Sequence, residues 1–160
     1  MKTIVYYYTL TGQCKKIALE MSNQLNCECE RIIEKKKRLS RGFLRFLNGR
    51  SAIQKEIAKI EMLSNDPDKF DRIIVVTPFW AASPVPAIRG FTKLYQEKLK
   101  GKKLGLALSN LGSDPEEAFR KYKELFPEPL TTISFTKAKK EWIEPGQSEI
   151  INKFIKDLGA

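Results

Sequence analysis

The chain contains no histidine, and only three of its 160 residues are cysteines: Cys14, Cys27 and Cys29. Without histidine, nucleophiles activated by an imidazole are excluded. An odd set of thiols without framework spacing makes no disulfide scaffold, and no imidazole is present to complete a zinc site. Cys27 and Cys29 flank one glutamate in an expected strand, where they share a face; all three thiols read as inert. No apolar run approaches the roughly 20 residues that a bilayer span requires. The apolar opening, residues 4–8, is too short for a secretory core and carries no small-residue cleavage site. The expectation is a cytoplasmic protein without membrane insertion, with no metal ligands and no catalytic residue of its own.

Acid is also scarce. Lysine and arginine number 29 against 19 aspartates and glutamates, for a formal charge of +10. Much of the excess lies in residues 31–50, with Lys35, Lys36, Lys37, Arg38, Arg41 and Arg45, and smaller groups stand at Lys102-Lys103 and at Lys137, Lys139 and Lys140. A field of this sign speeds encounters with acidic proteins, anionic cofactors or nucleic acid. The cluster carries no recognition module, so a solvated basic surface is favoured over a nucleic-acid binder.

What is present is an alternation of strands and helices. Residues 2–8 are β-branched and aromatic and read as a buried central strand. A polar loop follows, then a helix over 15–25 with Ile17, Ala18, Met21 and Leu25 on one stripe. Residues 29–33 give a short second strand. Phe43, Leu44, Phe46 and Leu47 suggest one short helix in the basic stretch, and Ile53, Ile57 and Ile60 another, with Gly42 and Gly49 as punctuation. Asn65-Asp66-Pro67-Asp68 signals a turn, and residues 71–77 a third strand. Residues 77–84 read as a loop, because prolines bracket it and cannot donate to a ladder. A helix is expected over 86–99, closed by Gly101, and a fourth strand over 103–108. Asp114 caps a helix with Pro115 at its first position, residues 130–135 form the last strand, and 148–158 a closing helix. This alternation specifies an α/β fold with a parallel sheet and helices on both faces. The length suits one domain over 1–160, with 35–60 as a basic insertion too small to own a core.

Three strand-end loops carry candidate chemistry, since ligands of open α/β sheets collect beyond the carboxyl ends of strands. Thr9-Leu10-Thr11-Gly12-Gln13-Cys14 runs into a helix whose free N–H groups and dipole favour a phosphate. Its threonines and Gln13 add donors, and Gly12 lets the backbone wrap closely. Pro78-Phe79-Trp80-Ala81-Ala82-Ser83 places two large aromatics at a strand end, where a flat polycyclic ring stacks well on Trp80. The alternative for both rings is capping the sheet edge or packing under the insertion over 31–60. Ser109-Asn110-Leu111-Gly112-Ser113 supplies further polar groups.

The segment from Ile4 to Cys14 resembles the phosphate loop of the flavodoxin-like family, Thr/Ser-x-Thr-Gly-x-Thr. The stretch Thr77-Pro78-Phe79-Trp80-Ala81-Ala82-Ser83-Pro84-Val85-Pro86 is similar to the aromatic loop of short flavodoxin-like proteins. The resemblance spans nearly the whole chain and is weakest over 35–60. It implies a three-layer, doubly wound, five-stranded parallel sheet of order 2-1-3-4-5 that binds flavin mononucleotide (FMN). On that basis Thr9, Leu10, Thr11, Gly12, Gln13 and Cys14 surround the phosphate. Pro78, Phe79, Trp80, Ala81 and Ser83 flank the isoalloxazine. Ser109, Asn110 and Gly112 reach its pyrimidine edge or ribityl chain. The chain departs from the pattern at Cys14, where threonine is usual, in the missing glycine beside Trp80, and in its basic charge. The implied function is electron transfer to a redox partner protein with an acidic face, at a potential less negative than that of acidic flavodoxins. The alternatives are a small NAD(P)H-dependent FMN or quinone reductase, for which no nicotinamide motif or general acid is seen, and a non-flavin binding module on the same architecture.

Overall fold

The computed structural model describes residues 1–38, 47–136 and 148–159. Its strands are β1 (Thr3–Tyr7), β2 (Glu28–Arg31), β3 (Arg72–Trp80), β4 (Ser83–Pro84), β5 (Lys103–Asn110) and β6 (Leu130–Thr136). The helices are α1 (Gln13–Leu25), α2 (Leu47–Ile53), α3 (Pro86–Leu99), α4 (Glu116–Lys123) and α5 (Ser148–Asp157). The sheet runs β2-β1-β3-β5-β6, with every neighbouring pair parallel, and the two-residue β4 pairs antiparallel to β3. Leaving β4 aside, this is the expected order 2-1-3-4-5.

Side chains alternate across the sheet, as a period of two requires. Ile4, Tyr6, Tyr8, Ile73 and Val75 pack with Phe91 and Tyr95 of α3 and with Phe119 and Tyr122 of α4. Val5, Tyr7, Ile74 and Val76 pack with Ile17 and Met21 of α1 and with Ile151 and Phe154 of α5. Two cores therefore sandwich one sheet. Phe91, wholly buried, alone contributes about 1.5–3 kcal/mol of apolar transfer. Among the described residues no helix is long and apolar enough to cross a membrane.

Strand β2 lies at Glu28–Arg31 rather than 29–33, and Pro115 rather than Asp114 is the N-cap of α4; four further boundaries differ from the sequence reading. Helix α1 starts at Gln13, which takes Gln13 and Cys14 out of the loop. The expected loop over 77–84 is a hairpin: β3 continues to Trp80, and Phe79 pairs with Pro84 and Trp80 with Ser83. Proline is tolerated there because β1 pairing ends at Tyr7 opposite Val76, leaving Pro78 bordered in the ladder by β5 alone. Strand β5 extends through Ser109 and Asn110, both buried. Finally, α2 contains Gly49 and ends at Ile53. Ile57 is exposed and Ile60 sits in an antiparallel bridge with Glu34, so no second helix forms. Here a backbone pairing with a segment more than twenty residues away overrides a helical spacing. Phe43, Leu44, Phe46, Gly42, Arg41 and Arg45 lie outside the described residues, as do Lys137, Lys139 and Lys140.

The segment after α2 is seated firmly. Ala58 N donates to Pro86 O at 3.0 Å. A Cβ at Gly90 would stand 2.0 Å from Ala58 O, so only glycine lets α3 accept this backbone so closely.

Candidate cofactor site

The chain leaves β1 and crosses to β2 on one side, then returns to β3 on the other. The crevice of such a sheet therefore lies beyond the carboxyl ends of β1 and β3. Thr9 is buried, and its Oγ1 accepts from Gly12 N at 2.9 Å, closing the loop. Gly12 has φ 94°, a left-handed conformation that side chains disfavour. No heavy atom lies within 4 Å of where its Cβ would stand, so the requirement is conformational rather than steric. No side chain caps α1, and no acidic residue occupies its first turn. Its leading N–H groups and partial positive charge are thus left for an anion. Thr11 is exposed and Leu10 and Gln13 are half-buried.

Cys14 points inward. It is buried among Val5, Tyr7 and Ile17; burial pushes its thiol up to about 12, against a hydrogen bond with Ser109 that pulls it down. The thiol therefore belongs to the core, and only the Cys14 backbone remains at the loop.

The β3–β4 hairpin stands beside this loop. Its turn residues Ala81 and Ala82 have φ 49° and 51°, both positive as a two-residue type I′ connection demands. Phe79 faces the core, so it caps the sheet, the packing alternative recognised from sequence. Trp80 is half-buried, edge-on to Tyr8 at 6.0 Å between ring centroids. A buried tyrosine sets the hairpin: Tyr122 OH donates to Pro78 O at 2.8 Å and accepts from Val85 N at 3.2 Å. Ser83 is buried, and its Oγ accepts from Lys121 Nζ at 3.2 Å.

In the third segment Asn110 donates through Nδ2 to Ser134 Oγ at 2.7 Å, and its Oδ1 accepts from Gly112 N at 2.7 Å. Asn110 shapes the turn that carries Gly112, and Ser109 meets the Cys14 thiol. Their side chains fix the rim. A cavity of about 420 Å³, lined by Met1, Lys2, Thr3, Asn26, Cys27 and Glu28, lies at the amino ends of β1 and β2, the opposite end of the strands from these loops.

Several residues here were not visible in the sequence reading. Arg31, opposite Tyr7 in the β1–β2 register, donates from Nη2 to Thr9 O at 3.2 Å. Arg38 is buried, bonded to Glu34 at 2.6 Å and to Glu56 at 2.9 Å, and lies over Trp80. Burial lowers the Arg38 proton affinity, but the carboxylates of Glu56 and Glu34 outweigh it and hold it above the usual value. Burial, with the Glu34 charge, likewise raises Tyr8. The spacing of Glu34 and Arg38, one helical turn apart, was the only local sign of this cluster.

These elements give the molecule a flavodoxin-like fold. Neither a protein-family model nor a curated protein matches the sequence. Solved structures do match. A candidate flavoprotein from Bacteroides eggerthii DSM 20697 superposes with TM-score 0.80 at 17% identity, over 99% of this chain and 98% of that one. A flavoprotein from Lactobacillus acidophilus NCFM, solved in complex with FMN, gives 0.69 at 16%, over 88% and 97%. A short-chain flavodoxin associated with a non-canonical PDU bacterial microcompartment gives 0.58 at 19%, over 99% and 97%. At such identities the likeness is one of fold.

The donor set suits a phosphate-ended aromatic ligand: an uncapped helix start and threonine hydroxyls on one side, and a half-buried indole on a rigid hairpin at the same edge.

Proposed function

We propose that this protein binds FMN between the 9–14 loop and the Trp80 hairpin and serves in electron transfer. The observation that carries the reading is the pairing of an uncapped α1 with an indole-bearing hairpin at the switch point of the sheet. FMN supplies reversible one- and two-electron chemistry when bound. The chain's part is to bind and orient. The N–H groups of Gln13 and Cys14 at the start of α1 and the hydroxyls of Thr9 and Thr11 hold the phosphate, with the Gly12 N–H kept on Thr9 Oγ1. Trp80, backed by Tyr8 and Arg38, flanks the ring and keeps water from one face. Ala81 and Gly112 lend backbone, with Ser109 and Asn110 holding the rim behind them. The cytoplasm is the proposed setting.

Arg31 brings positive charge to the phosphate loop, while Glu34 and Glu56 offset that of Arg38.

Calorimetric titration with FMN tests the binding reading. Saturable heat and a yellow spectrum retained through desalting are expected, with Trp80→Ala weakening affinity about tenfold, the scale of one stacking contact. No heat and no retained colour would end it. Rapid bleaching by NADH or NADPH would instead move the protein to the reductases.

A further inference from the structure

Outside the basic stretch several cations are paired. Lys2 meets Glu28, Lys98 meets Asp66, Lys100 meets Glu97, and Arg120 and Lys121 meet Glu117. Lys35, Lys36, Lys37, Arg50, Lys55 and Lys59 are exposed, and none forms an ion pair with a described residue. The two acids within the cluster, Glu34 and Glu56, are both taken by Arg38.

A flexible lysine run would need no seat, but these cations have one. Lys35 N donates to Lys59 O at 2.9 Å and Glu61 N to Ile33 O at 2.8 Å. Lysines far apart in the chain are thereby fixed around one cleft of about 350 Å³, which Lys35, Lys36, Lys59, Ile57, Ala58 and a single acid, Glu56, line. Ala58, on the same segment, is locked to α3 through Pro86 O and against Gly90. Three lysines thus share one carboxylate that is already bonded to Arg38; the excess of like charge is mutually unfavourable, and an acidic surface would relieve it.

The cleft also borders the Trp80 hairpin. Glu56 reaches Arg38, which lies over Trp80, and Gly49 of α2 stands where its Cβ would be 3.8 Å from the Ala81 Cβ. Ile33, Ile53 and Ile57 are exposed among the cations, at 40%, 60% and 51%. Apolar residues ringed by charge have the make-up of a protein interface.

We infer that the Lys35–Lys36–Lys59 cleft with its exposed isoleucines is the docking surface for an acidic protein, placed to bring that partner beside Trp80. The inference deepens the electron-transfer reading and rests on it for the partner's redox role. Charge complementarity steers the encounter, and small apolar contacts suffice for a transient complex.

The test uses the full chain, with and without added FMN, and a plant-type iron–sulfur ferredoxin as an acidic electron-transfer probe. Binding is measured by calorimetry across a salt series. The triple reversal Lys35→Glu, Lys36→Glu, Lys59→Glu is set against Lys93→Glu, Lys123→Glu, Lys153→Glu, which makes the same charge change on exposed sites elsewhere. Salt-sensitive binding that falls at least tenfold in the first variant and under threefold in the second is expected. Equal losses, or none, overturn the docking surface. So does a result in which duplex DNA or phosphatidylserine vesicles bind the cleft at physiological salt and the ferredoxin does not. Circular dichroism confirms that each variant is folded, and single reversals at Lys36 and Lys59 replace the triple if it is not. Cleft-dependent binding without FMN uptake removes the flavin reading and keeps the surface; FMN uptake with cleft-independent binding does the reverse.

Discussion

The guanidinium carbon of Arg38 lies 5.8 Å from the centroid of the Trp80 ring, while Glu34 and Glu56 grip the same guanidinium at 2.6 and 2.9 Å. The indole proposed to stack on a cofactor is thus backed by a cation that cannot swing freely. Removing the cation would leave Glu34 with an uncompensated buried charge. Arg38→Met is expected to lower stability by about 3–5 kcal/mol and to alter Trp80 emission, read in a Trp142→Phe background by urea melts followed by fluorescence.

The same clamp gives an acid response. A hydrogen bond from Ser51, then the Arg38 guanidinium, holds the Glu56 carboxyl below its ordinary value. A depressed folded value means that the contribution is present above the unfolded carboxyl range, about pH 4.3. It is lost as pH falls through the lowered value. Trp80 emission should therefore change on acidification below about pH 4. Glu56→Gln should remove that component, and an unaltered profile in the variant would refute the linkage.

Ala81 and Ala82 both occupy left-handed backbone, which costs a non-glycine residue about 1 kcal/mol or more. Ala82→Gly relieves this at some cost in unfolded-chain entropy. A net gain of about 0.5–1 kcal/mol in the denaturant midpoint is expected. A loss of stability would show that the turn is not strained.

Gly90→Ala should act in the opposite direction, although alanine is the better helix former. The new Cβ would stand 2.0 Å from Ala58 O, a backbone atom that cannot rotate away. The expected penalty is about 1–3 kcal/mol, with the cleft lysines displaced, so differential scanning calorimetry should show a lower Tm.

Tyr122→Phe removes the hydroxyl shared by Pro78 O, Val85 N and Thr77 Oγ1. Leaving the buried Val85 N–H unmet should cost about 1–3 kcal/mol. Hydrogen exchange should accelerate at Val85 more than in β1.

Hydrophobic periodicity by itself determined the parallel core strands and the helix stripes at Ile17 and Phe91, and local composition a polar loop after β1 whose end it put two residues too late, because each depends on residues close in the chain. Tertiary structure decided the rest. Whether residues 77–84 form a loop or a hairpin depended on Tyr122, forty-four residues beyond Pro78. That Phe79 buries while Trp80 stays half-buried on the same core depended on the end of β3 and on Tyr8 and Arg38, which meet the indole. Ile60 left its helical spacing because Glu34 offered a backbone partner. Arg31 and Arg38 entered the site only when β2 and the segment after it were laid against β1 and β3. Sequence records which residues can bury and which can turn; long-range pairing, each contact contingent on the others, chooses which of them meet.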